Sequence, residues 1–67
     1  MIYTKEELYE AKRQIFSVIS KTEGVIKTFE NKPNPSRYKS QITLAKRRLA
    51  AFKIANHLID EELNSND

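Results

Sequence analysis

Both prolines of the chain fall within one short segment, Asn31-Lys32-Pro33-Asn34-Pro35, and the only glycine, Gly24, lies outside it. Proline has no backbone N–H and pushes the residue before it out of the α region, so no regular element crosses this segment. The chain can therefore form at most two long elements and one turn. No stretch alternates apolar and polar residues with period two, which predicts the absence of strands. Apolar residues recur instead at gaps of three and four, the signature of an amphipathic helix.

The first helix has a legible start. Thr4 stands three residues before Glu7, the spacing of a capping box, with Tyr3 and Leu8 at the staple positions. Glu6, Glu7 and Glu10 then set negative charge at the positive end of the helix dipole. From there Leu8, Ala11, Ile15, Val18, Ile19, Thr22, Val25, Ile26 and Phe29 form one stripe. Gly24 is the place where this helix would bend, since a helical glycine costs about 1 kcal/mol relative to alanine. In the second half Asn34 is positioned to cap and Pro35 to occupy the first helical position. Tyr38, Ile42, Ala45, Leu49, Phe52, Asn56, Ile59 and Leu63 follow in register, and residues 64–67 read as a frayed polar end. The expected fold is all-α: a single antiparallel two-helix hairpin over residues 1–67, with helix 1 at about 5–30, a turn at 31–34 and helix 2 at about 35–63.

A lone hairpin of 67 residues is too small to be comfortable. Ordering it costs roughly 1.5 kcal/mol per residue, on the order of 100 kcal/mol in all, and a core of this size barely offsets that. Disulfides are excluded by the absence of Cys, and a single histidine, His57, leaves no cluster of metal ligands. No cofactor and no metal is expected. Self-association is what remains, and the second helix carries the surface for it: Leu44, Ala51, Ala55 and Leu58 form a second apolar stripe beside the first. Two hairpins pairing through these residues would close a four-helix bundle. A homodimer is the simplest such assembly, and the same stripes could also close a tetramer. Tyr9 and Phe16 lie about 100° from the helix 1 stripe and are the candidate anchors for a different protein partner.

The charge is unevenly spread along the hairpin. Its open end gathers Glu6, Glu7, Glu10, Asp60, Glu61 and Glu62, while Lys32, Arg37, Lys39, Lys46, Arg47, Arg48 and Lys53 make the middle and the turn basic. Antiparallel hairpins would set opposite signs together. Lys39, Lys46, Arg47 and Lys53 share the exposed side of helix 2 and are the candidate nucleic-acid contacts, although the overall charge is only +3. Asn56, in the middle of the apolar seam, reads as a residue that fixes register.

Nothing in the chain has the form of a catalytic constellation. His57 falls on the polar side of its helix, and Ser17, Ser20, Ser36 and Ser40 have no histidine nearby to activate them. Ser40-Gln41 resembles the opening of the Ser-Gln-Glu-Leu-Asp motif of the small aspartyl-phosphate phosphatases of sporulating bacteria, but Ile42-Thr43-Leu44 supplies neither carboxylate, so that activity is not implied. The composition is similar to that of small accessory proteins of low-GC bacteria or their phages. The expected protein is a non-enzymatic, homo-oligomeric hairpin that binds another protein, with nucleic-acid binding as the alternative. With no apolar run of membrane length, the cytoplasm is the expected compartment and no membrane partner is expected.

Overall fold

The computed structural model describes residues 2–65. Helix α1 (Lys5–Glu30) and helix α2 (Lys39–Ser65) are joined by residues 31–34 and a 3-10 turn, Pro35–Tyr38. The helices lie side by side and run in opposite directions. Lys12 pairs with Asp60 at the open end of the hairpin, and Glu30 pairs with Lys46 toward the turn. The result is a rod, 49 × 15 × 15 Å with a radius of gyration of 15.2 Å, whereas a compact chain of this length would have about 11 Å. Among the described residues there is no strand, and no helix is long and apolar enough to cross a membrane.

The start of α1 follows from Thr4 and Glu7. The Glu7 N–H donates to Thr4 Oγ1 at 3.1 Å and the Thr4 N–H donates to Glu7 Oε1 at 3.0 Å, so both halves of the capping box are made. The helix passes through Gly24 without a break. Its C-terminal end is closed by the Asn31 N–H, which reaches the Lys27 carbonyl at 3.1 Å.

The second helix begins differently from the reading of Asn34-Pro35 as a helix start. The Asn34 side chain caps nothing. Its carbonyl instead accepts from the Arg37 N–H at 3.0 Å, and the Lys39 N–H bonds the Ser36 carbonyl, so the chain winds as a tight 3-10 turn before the α-helix opens at Lys39. Pro35 fits the first position of that turn because its missing N–H is needed by nothing. Tyr38 thus leaves the α2 stripe and stacks on Phe29 with ring centroids 5.0 Å apart, while the Lys32 ammonium sits 5.7 Å from the Tyr38 centroid. At the other end Asn64 and Ser65, expected to fray, are helical, and Ser65 Oγ donates to the Glu62 carbonyl at 3.0 Å. The rest of that expected end, 66–67, lies outside the described residues.

The seam between the helices buries Leu8, Ile19, Ile26 and Leu63, with Ile15, Ile42, Leu49, Phe52 and Ile59 half-buried. Among the described residues no side chain is completely sealed from solvent. Val18 and Val25, read from spacing as seam residues, are exposed. At 100° per residue they stand roughly a quarter turn off the line through Leu8, Ile15 and Ile26, and one neighbouring helix does not reach that far.

Candidate functional site

Packing two helices leaves two flanks along the line of contact, and they differ in chemistry. Along the first, ion pairs cross from helix to helix between described residues: Lys12–Asp60 at 2.6 Å, Lys53–Glu23 at 3.8 Å and Lys46–Glu30 at 3.3 Å. Their spacing is dictated by the helical repeat, since Lys12, Glu23 and Glu30 share one edge of α1 and Lys46, Lys53 and Asp60 one edge of α2. Between the first two rungs lies a shallow pocket walled by Phe16, Ile19, Asn56 and His57 together with Glu23, Lys53 and Asp60. Phe16 is 63% exposed at its rim, and Tyr9, 58% exposed, lies on the same side of α1 two turns earlier.

Asn56 lies in the seam, with its Oδ1 buried from solvent and, among the described residues, without a hydrogen-bond partner. An unpaired buried acceptor costs about 1–3 kcal/mol of desolvation.

The second flank carries none of these charge pairs. It holds a groove of about 320 Å³ lined by Val18, Thr22, Val25 and Phe29 from α1 and by Gln41, Leu44 and Ala45 from α2, with Lys21 and Arg48 at its edges and no carboxylate. The groove passes onto the outer face of α2. There Leu44 is 46% and Leu58 60% exposed, Ala51 is exposed and Ala55 half-buried. The three-and-four spacing that selects these four passes over Ile54, one turn before Leu58 and equally open to solvent. Val18, Val25 and Ile54 enlarge the apolar surface beyond the sequence-level set. The first two were hidden by their agreement with the seam period, and Ile54 by lying just outside it.

The four candidate nucleic-acid contacts divide. Lys46 and Lys53 are engaged in the cross-helix rungs, while Lys39 and Arg47 are exposed on α2. The ion pairs weaken the basic face at two of its four points without abolishing it, because both lysines stay more than half exposed. Residues 20–54 nevertheless hold nine Lys or Arg against Glu23 and Glu30, a net +7, whereas residues 5–19 and 55–65 together hold three basic against six acidic residues, a net −3. The rod is electrically polar along its length.

His57 lies on the surface with Nε2 3.5 Å from Glu61 Oε1, one turn away on the same helix. Glu10 accepts hydrogen bonds from Gln14, at 2.9 Å, and from Arg13, and these donors together with the Arg13 charge hold its carboxyl below the ordinary glutamate value. Among the described residues no group of three His, Cys, Asp or Glu is placed to hold a metal ion. Compared with known proteins, the chain matches no family model, no curated protein and no solved structure.

Proposed function

We propose that the chain is a non-enzymatic interaction protein: a homo-oligomeric hairpin that pairs into a four-helix bundle through the apolar side of α2 and offers Tyr9 and Phe16 to another protein. The observation that carries this reading is surface area. The chain exposes 5355 Å², whereas a compact monomer of its mass would expose about 4,400 Å². The excess, on the order of 1,000 Å², is close to the roughly 800 Å² that each partner buries in a standard protein–protein interface. The apolar side chains left exposed include Leu44, Ile54 and Leu58 on α2 and Tyr9 and Phe16 on α1. Light scattering across a concentration series tests the first half of the proposal: a mass of twice the 7.8 kDa chain is expected, and a monomer at every concentration refutes it. For the second half, a protein partner held by the native chain should be lost by Tyr9→Ala/Phe16→Ala, and retention at full affinity refutes the assignment of these anchors.

The net +7 of residues 20–54 favours a second reading, in which Lys39, Lys46, Arg47 and Lys53 follow a nucleic-acid backbone. This reading requires retention on DNA or RNA at low salt that weakens steeply as salt rises. Absence of retention at low salt removes it.

A further inference from the structure

The two flanks of the hairpin are not equally suited to receive a second copy. The flank of Phe16 and His57 already has its charges matched by three cross-helix ion pairs. Pressing it against a copy of itself would strip water from six paired groups and return no new opposite charge, which desolvation makes unfavourable. The opposite flank has an apolar floor, cations at its edges and no carboxylate, so an acidic neighbour is what its rim lacks. The same chain supplies one at the other end of its rod, where residues 5–19 and 55–65 carry a net −3.

Orientation follows from this polarity. Parallel copies would set the two +7 segments side by side, whereas antiparallel copies set each +7 segment along a −3 segment, twice by symmetry. Helix α2 is suited to the same crossing. Ala51 stands midway between the exposed Leu44 and Leu58, and it and Ala55 are small enough to let two backbones approach closely.

We propose that a second copy of the chain packs antiparallel on the Val18–Val25–Leu44 flank, with α2 crossing its mate near Ala51 so that Leu44 of each copy meets Leu58 of the other. This deepens the self-association reading above and rests on it.

The natural absence of Cys makes a direct test available. Under mild oxidation a mixture of Leu44→Cys and Leu58→Cys chains should yield the mixed disulfide, Ala51→Cys should link to its own copy, and Leu44→Cys alone should stay unlinked. Sedimentation should show that Leu44→Glu weakens the dimer roughly tenfold or more while Phe16→Glu leaves its mass unchanged, with circular dichroism confirming that both variants remain helical. Efficient self-linking of Leu44→Cys, without the mixed product, would mean a parallel dimer and overturn the orientation. Dissociation by Phe16→Glu but not by Leu44→Glu would place the contact on the other flank and overturn this proposal while leaving self-association standing. A native chain that is monomeric throughout overturns both.

Discussion

The ring of Tyr38 lies on that of Phe29, with centroids 5.0 Å apart and planes inclined by 28°. One ring comes from the last turns of α1 and the other from the end of the 3-10 turn, so their contact fixes the angle at which the chain reverses. Tyr38→Ala should lower stability by about 1–2 kcal/mol, since such a pair contributes roughly 0.5–1.5 kcal/mol beyond the area it buries. Tyr38→Phe, which keeps the stack, should stay within about 0.5 kcal/mol of the native chain. Urea unfolding followed by circular dichroism measures both. Equal losses in the two variants would shift the importance of Tyr38 from its ring to its hydroxyl.

Replacing Asn56 should stabilise the hairpin. Asn56→Leu removes the buried, unpartnered Oδ1 and adds apolar volume to the seam, with an expected gain of about 1–2 kcal/mol. The gain should come with a loss of uniqueness, because a polar residue in a seam penalises alternative registers. Broadened amide resonances together with a raised unfolding midpoint would show both effects, whereas a lowered midpoint would mean that the amide has a role the static structure does not display.

Gly24 offers a cleaner test of helix energetics. A methyl added at its Cα meets nothing within 4 Å, so Gly24→Ala should change only the helical preference of α1 and stabilise it by about 1 kcal/mol. A thermal melt suffices. A loss of stability would indicate that the self-associated form packs against this glycine, in which case dilution should restore the gain.

The cross-helix pairs are accessible to a double-mutant cycle. Lys12 and Asp60 are 2.6 Å apart but each is more than two-fifths exposed, so Asp60→Asn should cost only about 0.2–1 kcal/mol and the coupling should fade in high salt. Exchanging the two signs, Lys12→Asp with Asp60→Lys, should recover much of the loss. If it does not, the pair acts through its hydrocarbon stems and not through charge.

Glu10 sets the direction of one acid effect. The Gln14 amide and the Arg13 guanidinium hold its folded-state carboxyl below the usual glutamate value. Its contribution to stability is therefore present above the unfolded value and lost as pH falls through the lowered folded one. NMR titration of the side-chain carboxyl should place its midpoint below the ordinary glutamate value. In Gln14→Ala that midpoint should move back toward the ordinary range.

The architecture was legible because its determinants are local. The prolines forbid helix at one place, the Thr4–Glu7 box opens a helix at another, and the periods of Leu8–Ile26 and Ile42–Leu63 say which sides meet. The start of α2 was less legible. Whether Pro35 opens an α-turn or a 3-10 turn depends on the backbone bonds of Ser36 and Asn34, for which side-chain pattern carries no signal. The division of the surface was hidden for a different reason. Val18 and Val25 satisfy the spacing rule of the seam, but their exposure depends on how wide a neighbour covers it, which a one-helix pattern does not contain. The pairing of Lys46 with Glu30 and of Lys53 with Glu23 likewise required the relative height of the two helices, and that height is set by the length of the turn.

The row of rungs from Lys12–Asp60 through Glu23–Lys53 to Glu30–Lys46 also has a mechanical meaning. The start of α1 and the end of α2 lie at the same end of the rod, so a force drawing those two helix ends apart reaches these three rungs one at a time, from Lys12–Asp60 toward the Phe29–Tyr38 stack. Peeling of this kind loads each contact alone, where shearing would share the load among all of them. The hairpin is therefore a soft element under tension between the start of α1 and the end of α2, and a second copy laid along its side would turn peeling into shear.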